Sequence, residues 1–222
     1  MLVLVLDTAT PAVTTAVISV DDHAVTPMAA RSTVDERAHG ELLAPAIAAV
    51  LAEAGVGARD LDAIVAGVGP GPFTGLRVGL ATAVAMSQAL AVPAYGVCSL
   101  DAIGITAVAT TLVATDARRR EIYWAIYRDG RRLTPPAVDR PALVAEQLAG
   151  GAVEVALGDG AHRYAAVLGV PVLDEPRYPR AVALAQLAAE RVLARAPAEA
   201  LTPLYLRRPD AAEPRPPKAV TA

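Results

Sequence analysis

The sequence predicts an α/β protein made of two βββαβα units in tandem. Three observations carry that reading. The order of β-rich and helical runs is repeated along the chain, each repeat opens on an apolar strand that ends in an aspartate (Asp7 and Asp116), and the helical segments space their apolar residues by three and four. With 222 residues, 54% of them hydrophobic and 19% charged, the chain holds enough apolar material for one large core or two small ones.

In the first unit, residues 3–6, 13–20 and 23–30 are β-rich runs parted by short polar turns, Asp21-Asp22 being the clearest, and they predict an antiparallel meander. A helix follows, because Leu42, Leu43, Ala46, Ile47, Val50, Leu51 and Ala54 recur at helical spacing and Gly55 and Gly57 supply a stop. Pro45 demands either a late start or a kink. Residues 63–67 read as a strand, and a glycine-rich turn then opens an alanine-rich helix over 73–91 that leads into a strand over 94–97.

The second unit begins with a strand over 111–115. A strand over 121–128, a hairpin turn at Asp129-Gly130 and a return strand over 131–134 follow. A short helix over 141–148, a strand over 154–157 and a helix over 162–168 complete it. A last helix is expected from Pro179, at its first position, through Leu184, Leu187 and Leu193 to Arg195. By this reading residues 1–105 form the first lobe and 106–208 the second, while 209–222, rich in proline and charge, form a disordered tail.

Composition excludes several function classes. A formal net charge of −3 gives no global basic field, so any RNA the chain serves is expected to be reached through a partner. The single cysteine, Cys98, cannot form an intrachain disulfide, and no Cys/His spacing suggests zinc, so a cytoplasmic, reducing location is expected. The N-terminus lacks a basic segment and reaches Asp7 within one strand length, as a buried strand would. The uncharged stretch from Val78 to Leu100 is long enough to span a bilayer. Thr82, Ser87, Gln88 and Pro93 interrupt it and a new strand begins at Ala94, so a buried helix and a strand are expected, with no membrane association.

Duplicated βββαβα units are the plan of the actin-like, ribonuclease-H-like superfamily, in which a nucleotide lies between the lobes. In that setting Asp7-Thr8-Ala9-Thr10 would be a phosphate-binding turn, with Asp7 holding a metal-bound water and Thr8 and Thr10 offering hydroxyls. The run Gly69-Pro70-Gly71-Pro72-Phe73-Thr74-Gly75-Leu76-Arg77 lies between a strand and a helix, where Gly71, Thr74 and Arg77 could cradle an anion; it matches neither GxGxxG nor a Walker loop, and a tight turn remains the alternative. Gly158 and Gly160 would either border a nucleoside pocket or make a turn. In the second lobe Asp116, Arg119, Glu121 and Tyr123 read as structural, with an ion pair from Arg119 to Glu121 or Asp116. His23, His39 and His162 are scattered, and Ser99 lacks a nucleophile elbow, so no metal ligand or catalytic residue is assigned.

Small residues along the second helix, Gly79, Ala81, Ala83, Ala85 and Ala89, would let another backbone approach closely. A partner interface is therefore expected on Leu42, Leu43, Ile47, Gly75, Gly79, Ala83 and Met86, with close packing on the protein's own sheet as the alternative.

The Asp7–Thr10 turn, His39-Gly40-Glu41-Leu42-Leu43-Ala44-Pro45-Ala46-Ile47, the Gly69–Arg77 run, Asp116-Ala117-Arg118 with Glu121 and Tyr123, and Tyr205-Leu206-Arg207 together resemble the bacterial TsaB (YeaZ) family. Pro72 stands where that family more often has a small hydroxyl residue. The resemblance implies a partner of the paralogue TsaD and the ATPase TsaE, which install threonylcarbamoyl, from threonylcarbamoyl-adenylate, on adenosine 37 of tRNAs reading codons that begin with A. It also implies pairing with TsaD through the first-lobe helices and tRNA contact only through the complex. A surface suited to a homologous lobe should also suit itself, so a homodimer on the same face is a further reading for the chain without its partner. TsaD binds a metal through a His-x-x-x-His pair; the corresponding region here reads Cys98-Ser99-Leu100-Asp101-Ala102-Ile103, so the resemblance implies a non-catalytic chain. No cofactor is then required, with weak ATP or ADP binding at a complex interface left open. The other readings are a nucleotide-binding, ATPase-like enzyme and a glycoprotease-like metallopeptidase.

Overall fold

The first unit folds around one five-stranded sheet. Its elements are β1 (Leu2–Asp7), β2 (Ala12–Val20), β3 (Val25–Val34), α1 (His39–Ala54), β4 (Ala63–Gly67), α2 (Phe73–Leu90), β5 (Ala94–Val97) and a short α3 (Ser99–Gly104). The computed structural model describes residues 1–207, so the proline-rich stretch 209–222 lies outside the described residues. Strand order is β3-β2-β1-β4-β5. The meander β1–β2–β3 is antiparallel, and β4 and β5 join it in parallel through the α1 and α2 crossovers, with Val5 opposite both Ala16 and Val65.

Alternation along β1 sorts the core. Leu4 and Leu6 face α1 and α2, where they meet Leu43, Ile47, Leu76 and Leu80. Val3 and Val5 point to the opposite face, against Leu184, Ala188 and Val192. α1 starts at His39, ahead of Pro45 rather than after it. His39 Nε2 donates to the Thr10 carbonyl at 2.8 Å and anchors that start, while Pro45 lies on the exposed side, where its missing N–H leaves a carbonyl to water.

The second unit comprises β6 (Thr111–Asp116), β7 (Ile122–Arg128), β8 (Arg131–Arg132), β9 (Ala137–Asp139), α4 (Pro141–Leu148), β10 (Val155–Leu157), α5 (Asp159–Arg163) and α6 (Ala165–Leu168). Its sheet runs β10-β6-β7-β8, with β9 also paired to β7. The return strand expected over 131–134 is shortened to Arg131–Arg132, and beyond Pro135-Pro136, which cannot continue the ladder, β9 pairs opposite Ile122–Trp124. The helix expected over 162–168 starts earlier, at Asp159, and breaks at Tyr164 (φ −116°).

The last helix, α7 (Ala181–Leu193), changes the division of the chain. Pro179 precedes its cap, Arg180, instead of opening the helix. Although α7 follows the second unit in sequence, its apolar face of Ala181, Leu184, Ala188 and Val192 covers the first sheet. By packing, then, residues 181–193 belong with the first lobe and not with the expected 106–208 unit. The chain beyond α7 stays on that side, where Glu199 N–H donates to Ala94 O and Leu204 N–H to Val68 O.

α3 joins the lobes. Ala102 packs in the first core, while Leu100 and Ile103 pack against Val113, Ala125 and Tyr127 of the second sheet. Gly104 permits this, since a Cβ there would lie 2.3 Å from the Tyr127 ring.

Candidate functional site

In the β1–β2 turn Asp7 is sealed off, whereas Thr8 and Thr10 reach the wall of a hollow of about 380 Å³. Asp7 is fully buried; its Oδ1 accepts from Ala9 N–H at 2.9 Å and its Oδ2 from the Ser99 hydroxyl at 2.5 Å. Burial pushes its carboxyl up to about 6, with the Ser99 and Ala9 hydrogen bonds pulling the other way. A Cβ on Gly67 would fall within 1.7 Å of Asp7 Oδ2, so glycine is required beside the carboxylate. Ser99 Oγ also accepts from Gly69 N–H at 3.2 Å. The expectation that Asp7 holds a metal-bound water is therefore corrected, because β4, the Gly69 turn and Ser99 close over it.

Thr8 and Thr10 are buried as well. The Thr8 hydroxyl donates to Gly75 O at 2.7 Å and accepts from Gly79 N–H at 3.1 Å, which ties the turn to α2. Thr10 Oγ1 accepts from Ala12 N–H at 3.3 Å.

The glycine-rich run is a tight turn of close approach, and it also forms one wall of a cavity. Gly71 lies against Ala9, so close that a Cβ would sit 2.2 Å from Ala9 O. Its carbonyl accepts from Tyr123 OH at 3.3 Å, a bond across the lobes. A hollow of about 410 Å³ opens there, walled by Gly71–Phe73, by the Ala117–Arg119 hairpin turn with Tyr123, and by Tyr205–Arg207. Segments far apart in sequence thus meet at one place. Of the expected anion-binding residues Gly71 lines this hollow. Thr74 lines a neighbouring one of about 380 Å³, which also touches Thr10, His39 and Arg118. Arg77 stacks on the Phe73 ring, 3.7 Å from its centroid, and its Nε donates to Tyr205 OH at 3.0 Å.

Gly158 and Gly160 do not border this hollow. A Cβ would lie 2.2 Å from Ala114 O at Gly158 and 2.6 Å from the Thr115 carbonyl carbon at Gly160, so both serve close packing on β6, the turn reading. Between them and β6 lies a carboxylate pair: Asp116 N–H donates to Asp159 Oδ1 at 3.4 Å, and burial together with the Asp116 charge pushes Asp159 up to about 7.

Asp116 and Glu121 take arginine partners from farther along the chain than the expected Arg119. Arg163 reaches Asp116 Oδ2 at 3.2 Å, and Arg207 pairs with Glu121 while its Nη1 donates to Ala117 O at 3.0 Å. Arg118, Arg119 and Arg120 stand in the left-handed region, at φ 62°, 53° and 61°, which costs about 1 kcal/mol each. Arg118 bridges to Glu36 of the first lobe at 2.5 Å. Phe73, Arg118 and the Tyr205–Arg207 segment were not in the expected site; the signal for the last lay in the family-like Tyr-Leu-Arg run.

The expected partner face needs revision. Leu43, Ile47, Gly75, Gly79 and Ala83 are buried against the protein's own first sheet, and Leu42 and Met86 are half-buried. Small residues that face outward include Gly40, Ala44, Ala48 and Ala52 on α1 and Ala81, Ala85 and Ala89 on α2. Among the described residues no cluster of three His, Cys, Asp or Glu side chains could hold a metal, and no helix is long and apolar enough to cross a membrane.

A family model described as TsaD: tRNA N6-adenosine threonylcarbamoyltransferase matches residues 30–166. An uncharacterized protein of Mycobacterium tuberculosis is 52% identical over 209 residues, 94% of this chain and 93% of that protein. One of Mycobacterium leprae is 49% identical over 95% of this chain, which spans only 56% of that relative's length. The Escherichia coli tRNA threonylcarbamoyladenosine biosynthesis protein TsaB is 33% identical over 135 residues, 55% of this chain and 58% of that protein. A solved structure from Pseudomonas aeruginosa, described as similar to peptidase YeaZ, superposes with a TM-score of 0.76 at 30% identity over 93% of this chain and 99% of that one.

Proposed function

This chain belongs to the TsaB (YeaZ) family, and from that membership we propose that it serves tRNA threonylcarbamoyladenosine synthesis as a non-catalytic subunit, seated against the transferase TsaD and working with the ATPase TsaE in the cytoplasm. The observation that carries this reading is the closure of Asp7. A carboxylate that would serve a metal or nucleotide in an enzyme of this fold is buried under Ser99 and held off its ordinary ionisation range. Thr8, beside it, has its hydroxyl committed to α2. No cofactor of the chain's own is part of the proposal.

Outward-facing Gly40, Ala44 and Ala48 of α1 beside Ala81, Ala85 and Ala89 of α2 favour close approach of a partner's helices, since small side chains let backbones come near. The same face would pair two copies of the chain when TsaD is absent. The test is synthesis of the modified nucleoside on unmodified tRNA with purified TsaD, TsaE and the donor system, with and without this protein. Loss of product on omission, with no product from this chain and donor alone, is the expected result. Full product without the chain would overturn the reading.

A further inference from the structure

The cavity between the lobes has the chemistry of a nucleotide-strand contact rather than of a closed joint. Phe73 and Tyr205 are large aromatic residues left 44% and 41% exposed, with ring centroids 5.2 Å apart and planes tilted by 31°. Arg77 fixes the pair from one side, its guanidinium on Phe73 and its Nε on the Tyr205 hydroxyl. This is a preorganised platform of two π-faces and a cation at the protein surface, the arrangement on which unpaired bases stack regardless of sequence.

The charge around it is opposite to that of the whole chain. The formal net charge is −3, yet among the described residues Arg77, Arg118, Arg119 and Arg207 surround the platform and the hollow, with Glu36 and Glu121 paired to two of them and Asp116 and Asp159 also near Arg118. Arg118 keeps donors beyond the Nη1 that Glu36 uses, whereas Arg207 spends Nη1 on Ala117 O and Nη2 on Glu121. Phe73 and Arg118 also form the wall shared with the neighbouring hollow that His39, Arg37 and Thr10 line. Two hollows, of about 410 and 380 Å³, therefore lie on either side of one aromatic and basic ridge. A free mononucleotide would need one of them, whereas a strand crossing the ridge would use both.

We propose that an unpaired stretch of RNA crosses this ridge, a base stacking on the Phe73–Tyr205 pair and the flanking phosphates meeting Arg118 and Arg119. The proposal rests on the role in tRNA modification and gives the chain a direct RNA contact, where the sequence alone implied an indirect one.

The test is fluorescence anisotropy with labelled unmodified tRNA, using the full chain alone and mixed with TsaD. The wild type is compared with Phe73→Ala, Tyr205→Ala and Arg77→Ala, each at an exposed residue, with thermal unfolding as the control for folding. Either aromatic variant is expected to weaken binding about tenfold, the scale of one lost stacking contact. Arg77→Ala is expected to weaken binding too, because it frees the two rings from the guanidinium that fixes them, while the salt slope set by the phosphate contacts stays the same. Absence of RNA binding at low salt in both settings would overturn the proposal, as would affinity unchanged by all three variants. Preferential binding of AMP or ATP at the ridge, displacing the tRNA, would reassign the site to a free nucleotide. RNA binding that depends on the ridge, together with full product when the chain is omitted, would sink the subunit role and leave the site standing. Product that requires the chain, with binding indifferent to the ridge, would sink only the site.

Discussion

Thr8 and Gly79 meet side chain to backbone: the Thr8 hydroxyl accepts the Gly79 N–H at 3.1 Å while donating to the Gly75 carbonyl at 2.7 Å. A hydroxyl is thereby inserted between the two groups that would otherwise form one turn's hydrogen bond in α2. The helix can come so close to β1 only because residue 79 has no side chain, a Cβ there lying 2.3 Å from Thr8 Oγ1. Gly79→Ala is expected to destabilise the fold by about 1–3 kcal/mol through overpacking. Urea unfolding checks it, and an unchanged midpoint would mean that α2 can retreat from the turn.

Pairing with a partner should respond to a different set of positions. Ala81→Arg and Ala85→Arg place bulk and charge on the outward face of α2 and leave its buried face alone. Each is expected to lower affinity for TsaD, or self-association, at least tenfold with unfolding unchanged. Size-exclusion chromatography with light scattering reads both quantities, and a complex of undiminished stability would place the interface elsewhere.

Asp7 links stability to pH. Its pKa is raised in the fold, from 3.8 to about 6, so the unfolded chain releases its proton first as pH rises. Its contribution is present in full below about pH 4 and is lost as pH climbs through 6, an effect on the order of 3 kcal/mol for so buried a group. Asp7→Asn removes that titration. Relative to wild type the variant should gain stability between about pH 4 and pH 6 and hold the gain above. Chemical denaturation across that range measures the difference, and parallel curves for the two proteins would show that Asp7 ionises freely.

α7 provides a test of lobe membership. Leu184 is fully buried against the first sheet, so Leu184→Ala should cost about 2–5 kcal/mol. Hydrogen exchange should then rise in β1, β2 and β4 before it rises in β6 and β7. Faster exchange beginning in the second sheet would contradict the packing of α7 on the first sheet.

The Glu121–Arg207 pair joins the end of the described chain to the β6–β7 turn, both side chains being partly exposed. Arg207→Ala should therefore cost only about 1 kcal/mol in global stability. It should open the hollow beside Tyr205 far more than it lowers the midpoint of unfolding. Limited proteolysis after Leu204 reads that opening, and an unaltered cleavage rate would show that Tyr205 and Leu206 hold the segment unaided.

Most elements were legible in the sequence because the signals that make them are local. Apolar alternation marks β1, helical spacing runs through α2, and Pro141 opens α4 at the expected position. The repeat of βββαβα and the aspartate closing each first strand likewise needed no knowledge of neighbours. Pairing of β9 past Pro135-Pro136 was missed because a ladder partner is chosen across the sheet.

Tertiary structure alone decided three matters. It assigned α7 to the first lobe, since an apolar stripe such as Leu184, Ala188 and Val192 can cover any sheet within reach of the chain. It turned Gly75, Gly79 and Ala83 inward and Ala81 and Ala85 outward, because small residues suit close packing on either side of a helix. And it brought Phe73, Arg118 and Tyr205 around one hollow. Sequence records which chemistry each segment carries; which segments meet depends on how two separate sheets bury their faces, and that is a property of the whole chain at once.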